Sequence, residues 1–199
     1  MNGSKSGFRA PPRASAIGMW LFLAALGMLF LSSMLLYVLM RLRVFGRISD
    51  EPIHMPVLAW GSTAVLLAGS FSIHWAVSAI RLERLGVCLK YLYLTCGIAV
   101  LFLVIQSPCM ARVLEAHRAI EAKTASGSPV SLYGLVFFLI LVHALHVVGA
   151  IVALGIVTFN AHRRKYDHEN YMGVQFAARY WHFLDVVWVG MFTMFLVMG

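Results

Sequence analysis

The sequence predicts an all-α, polytopic membrane protein, a bundle of five transmembrane helices. Composition is the first reason. Of 199 residues, 61% are hydrophobic and only 12% charged, and the mean hydropathy is +0.82. A soluble domain carries about 25% charged residues to cover its surface, so most of this surface does not face water. The second reason is distribution: the apolar residues fall into five long runs separated by short basic segments. The third is the absence of barrel-like alternation along those runs. Backbone groups in a bilayer must bond within their own segment, so the runs must be helices.

Residues 1–15 read as a short basic tail with Lys5, Arg9 and Arg13, and residues 16–199 as the five-helix transmembrane domain. The first span, 17–40, is uncharged and far longer than a signal-peptide core of about 7–15 residues. Arg41 and Arg43 close it as an anchor would. The second, 56–80, opens at Pro56, which suits a first helical turn. The third, 86–107, ends at Pro108. The fourth, 130–159, exceeds the roughly 20 residues a bilayer core needs, so it must tilt or project. The fifth, 176–199, contains Arg179, His182 and Asp185.

The tail, the loop after the second span and the segment leading into the fifth, counted with Lys90 and Arg179 at the adjoining ends of the third and fifth spans, hold ten Lys or Arg, against six in the other two loops. The positive-inside rule therefore places the amino terminus in the cytoplasm. The formal charge of +8 is scattered between the runs. It reads as juxtamembrane charge that meets anionic lipid, and nucleic acid is not an expected partner. Cys88, Cys96 and Cys109 form no C-x-x-C pair, so no zinc or redox motif is expected. Cys88 and Cys109 fall on opposite sides of the membrane. The longest external loop, 108–129, contains the turn-like Ala125-Ser126-Gly127-Ser128. Loops this short hold no catalytic domain, so any chemistry lies within the membrane or in a partner.

Ionisable residues inside a membrane are costly, and each raises a functional question. Arg179, His182 and Asp185 recur at intervals of three and read as one face, with Asp185 able to accept from His182. A neutralised cluster that locks helices together is favoured over a proton relay or a lipid-headgroup site. His143 and His146 share a face of the fourth span. As a metal site they are incomplete unless other helices add ligands, so structural hydrogen bonding is the expectation. In the second span, Ala64, Ala68, Ser72 and Ala76 read as a packing stripe, and Thr63, Ser70, His74, Ser78 and Arg81 as a separate polar stripe. His74 and His182 lie at matched depth, which keeps open a small b-type cytochrome with haem held axially between them.

The carboxyl-terminal run Tyr180-Trp181-His182-Phe183-Leu184-Asp185-Val186-Val187-Trp188 closely resembles the Y-W-H-F-V-D-V-V-W signature of subunit III of haem–copper terminal oxidases. His143-Ala144-Leu145-His146-Val147 resembles that family's H-G-L-H-V, and Tyr133-Gly134 with Phe137-Phe138 the start of the same helix. Gly18-Met19-Trp20-Leu21-Phe22-Leu23 resembles the opening of its first core helix. Five spans fit the bacterial type, which lacks two amino-terminal helices of the seven-helix form.

The resemblance implies a non-catalytic subunit of a proton-pumping oxidase in the bacterial inner membrane, with no catalytic residue, metal or redox centre of its own. Haem and copper would sit in partner subunit I, with subunit II a further partner, and phospholipid would bind. His143, His146, Arg179, His182 and Asp185 are then structural or lipid-contacting groups. Cytochrome c is the expected electron donor and quinol the alternative; an accessory subunit of a nitric oxide reductase is a further alternative. Three departures bear on proton transfer. Leu26 aligns with an acid usual in the family, Cys109 follows Gln106 where another acid is typical, and Gln175 replaces a common Glu. These losses argue against an independent proton path and for a scaffold.

Overall fold

The computed structural model describes residues 12–44, 57–123, 132–163, 166 and 171–198. Five helices follow in chain order: α1 Pro12–Val44, α2 Val57–Arg81, α3 Leu85–Lys123, α4 Leu132–His162 and α5 Met172–Met198. Each holds a stretch long and apolar enough to cross a membrane, over Ala16–Leu42, Trp60–Arg81, Leu85–Arg112, Gly134–His162 and Met172–Val197. The chain is a multi-pass helical membrane protein. Most of the expected basic tail, and the expected turn at 125–128, lie outside the described residues.

α1 starts at Pro12, inside the segment read as tail. Proline suits a first turn, where its missing N–H would have no intrahelical partner. α3 departs further from expectation. It runs through Pro108 to Lys123, 39 residues in all, instead of ending at the proline. An internal proline removes one backbone bond and crowds the preceding turn, yet membrane helices accommodate it through local adjustment and neighbouring groups. At 1.5 Å per residue α3 is about 58 Å long, well beyond a hydrocarbon core of roughly 30 Å. Its end beyond the apolar stretch exposes Glu115 and Arg118.

α2, α3, α4 and α5 close a ring in which each helix packs on the next, and α1 lies outside it in the groove between α4 and α5. α2 and α3 are joined by the tightest connection. Arg84 N–H donates to Ala79 C=O (3.0 Å) and Glu83 N–H to Ile80 C=O (3.1 Å), the paired bonds of a Schellman cap. Glu83 carries the left-handed conformation that this cap requires, with φ of 58°.

α2 does not bury the expected straight stripe. Ser72 and Ala76 are buried, but Ala64 and Ala68 are exposed. The buried positions run through Ser62, Leu66, Gly69, Ile73, Ala76 and Ile80. A step of four residues overshoots a full turn by about 40°, so an every-fourth stripe rotates off the interface within three steps. On the α3 side, Ser72 Oγ donates to Tyr91 C=O (3.0 Å), and the buried Thr95 hydroxyl lies 3.0 Å from Ser72 Oγ. Between α3 and α4, Cys96 Sγ lies 3.8 Å from Thr158 Oγ1.

Candidate functional site

The buried His143 and Asp185, with half-buried His182, lie where α5 meets its neighbours. α5 touches α1, α2 and α4, and α3 only through side chains. Along the antiparallel α2–α5 seam, Trp60 meets Phe192 edge to face at 5.0 Å, and Trp188 Nε1–H donates to Thr63 Oγ1 (3.0 Å). One turn on, the Ser70 hydroxyl donates to Asp185 Oδ2, and His182 Nδ1 lies 2.8 Å from the same Ser70 Oγ. Beyond them Arg81 stands over the Tyr171 ring at 5.9 Å.

Glycine at 69 makes the seam possible. A Cβ there would lie 3.0 Å from the Trp181 indole and 3.2 Å from Ile98. Trp181 is 2% exposed and fills the space that a larger side chain would need.

Ser70 resolves how His182 and Asp185 interact. The sequence reading has Asp185 accept directly from His182; the structure puts the α2 hydroxyl between them. A hydroxyl has one proton. With that proton given to Asp185, His182 Nδ1 must be the donor to Ser70. His74, one turn farther along α2, lies within electrostatic range of His182. Asp185 is 5% exposed, and among the described residues its second oxygen, Oδ1, has no hydrogen-bond partner.

Arg179 does not share this face. It is exposed, lies 5.8 Å from the Trp20 ring and directs Nη1–H at Met19 Sδ (3.9 Å), both on α1. Each step of three residues falls about 60° short of a turn. Two steps therefore carry Asp185 about 120° around the helix from Arg179. The spacing that keeps His182 beside Asp185 separates both from the arginine.

The two histidines of α4 also part company. His146 Nδ1 lies 2.7 Å from Val142 C=O, so that nitrogen carries the proton, and the Tyr180 hydroxyl donates to His146 C=O (3.2 Å). Among the described residues, neither ring nitrogen of His143 has a hydrogen-bond partner. Its ring packs instead on Trp188 at 5.3 Å and on Phe30 at 6.1 Å, and Phe30 meets His146 at 5.4 Å. Sequence reasoning identified Ser70 and Thr63 as part of a polar stripe without finding their partners on α5. It assigned Gly69 no role.

The signature run thus distributes its large side chains among the neighbouring helices. Tyr180 goes to α4, Trp181, His182 and Asp185 to α2, Phe183 toward Gly27 of α1, and Trp188 to both α2 and α4. Among the described residues, no group of three or more His, Cys, Asp or Glu is placed to hold a metal ion. This is a five-helix membrane bundle organised around a polar, aromatic central helix. The model of the family described as cytochrome c oxidase subunit III matches residues 16–199, and the chain belongs to that family. It is 26% identical over 184 residues to a probable cytochrome c oxidase subunit 3 of Nocardia farcinica, covering 92% of this chain and 87% of the relative. Identity is 28% over 145 residues with cytochrome c oxidase subunit 3 of Drosophila melanogaster, and 30% over 144 with that of Tragelaphus oryx. Each of these alignments covers 72% of this chain and 50% of the relative, so the chain spans half the length of the animal proteins it matches.

Proposed function

We propose that this chain is the non-catalytic third subunit of a proton-pumping haem–copper oxidase that reduces oxygen to water. It packs beside the catalytic subunit I, with subunit II in the same complex, and stabilises that assembly. The observation that carries the reading is the family match across 16–199, which takes in all five apolar stretches. The geometry supports a scaffold role. His182, Asp185, Trp188 and Tyr180 are occupied with neighbouring helices, and buried Leu26 sits where the resemblance leads one to expect an acid.

Haem and copper belong to the partner in this reading, and this chain contributes packing, lipid contact and helix registry. Arg179 beside Trp20 pairs an exposed cation with an indole at the end of a span. That combination suits a phospholipid headgroup at the bilayer interface. The amino terminus lies on the cytoplasmic side of a bacterial membrane, as the excess of basic residues at that end of the bundle favours. Cytochrome c is the electron donor, a choice supported by the printed names of the relatives.

Purification of the native complex through a tag on this chain tests the proposal. The expected product contains a larger polypeptide with copper and a- or o-type haem, and it oxidises reduced cytochrome c. A product with non-haem iron and b-type haem would instead make the chain a nitric oxide reductase subunit. Oxidation of quinol but not cytochrome c would reassign the donor.

A further inference from the structure

We propose that His182, Ser70 and Asp185 form a single proton-holding site across the α2–α5 seam, with the Ser70 hydroxyl as the link through which one proton is shared. Two hydrogen bonds meet at one oxygen: Ser70 Oγ donates to Asp185 Oδ2, and His182 Nδ1 lies 2.8 Å from the same Oγ. A hydroxyl both donates and accepts, so it can pass a proton without moving its oxygen.

In one arrangement Asp185 is a carboxylate accepting from Ser70, and a doubly protonated His182 donates to Ser70 through Nδ1–H. In the other, the Asp185 carboxylic acid donates to Ser70, and Ser70 donates to the bare Nδ1 of neutral His182. The two interconvert by a concerted shift: Nδ1–H gives its proton to Oγ while Oγ gives its own to Oδ2. No proton leaves and no electron moves; the net charge is unchanged, while an ion pair becomes two neutral groups. Both arrangements keep the unit neutral overall, which a low-dielectric interior favours over an isolated charge. Release of one further proton through His182 Nε2 leaves the unit at −1, so the site can fill and empty.

The surroundings give that release a direction. His74 on α2 lies within electrostatic range of His182 and is exposed, whereas Asp185 is buried. The line His74, His182, Ser70, Asp185 therefore runs from the outer face of the bundle inward. Among the described residues, α4 adds His143, stacked on Trp188 one turn beyond Asp185, and His146, held against Phe30. Tyr37 of α1 packs on Phe195, far along α5, and Arg179 turns to α1.

Infrared difference spectroscopy of the purified complex, titrated with pH, tests this. A carboxylic C=O band that is lost in Asp185→Asn should titrate together with the ring modes of His182, seen by isotope-labelled histidine. Ser70→Ala should uncouple the two titrations, and Ser70→Thr, which keeps the hydroxyl, should restore the coupling. An Asp185 band that ignores pH, or coupling that survives Ser70→Ala, would overturn the proposal and leave Ser70 as an interhelical fastener only.

Discussion

Among the described glycines that face another helix, Gly69 is the most closely packed, with Trp181 3.0 Å from where its Cβ would stand. Gly69→Val should force the indole and α2 apart at a cost of about 1–3 kcal/mol, the range for overpacking a filled site. The measurement is the temperature at which the chain dissociates from the detergent-solubilised complex; an unchanged temperature would contradict the packing described. Trp188→Phe removes the bond to Thr63 while keeping a ring against His143. Interhelical hydrogen bonds in membranes average about 0.6 kcal/mol, so the loss should be small, and Thr63→Val on top of it should add little. Full additivity of the two would indicate that the bond contributes nothing. Asp185→Leu should do more harm, since it leaves the Ser70 hydroxyl, which His182 also meets, without its carboxylate acceptor. Lower retention of the chain in native gels is the expected result. At this scale the sequence was informative about which residues matter and poor about whom they meet. His182, Asp185 and the polar stripe of α2 stand out as polar letters in apolar runs. Contact between residues 112 and 115 positions apart depends on which helices become neighbours.

The turn between α2 and α3 holds a non-glycine residue at φ 58°. Glu83→Gly should be tolerated, because glycine adopts this conformation without steric penalty. Glu83→Val should cost about 1–2 kcal/mol, since a branched Cβ collides with the backbone there. Thermal dissociation of the two variants distinguishes them, and equal behaviour would contradict the cap. Element existence was plain from hydropathy: five apolar runs predict five spans, and five helices hold a stretch long and apolar enough to cross a membrane. Element ends were not. Pro108 reads as a stop, yet α3 continues through it, because a proline penalty of about 3 kcal/mol acts on one turn while the helix is fixed by contacts on both sides. Faces were also misread at spacings of three and four. Neither interval matches 3.6 residues per turn, so Arg179 drifts away from Asp185, and Ala64 away from Ala76.

At the scale of the whole molecule, α5 is the organising element: it reaches α1, α2 and α4 through one nine-residue run and meets Phe102 of α3 through Trp188. We propose that this network serves cohesion while the redox chemistry resides in a partner. Gly69→Val tests it most directly when two quantities are read from the same purified complex: the fraction of complexes that keep this chain, and the optical spectrum of the bound haem. The account predicts that the chain is lost from a substantial fraction while the haem spectrum is unchanged. Full retention of the chain with an altered haem spectrum would contradict it.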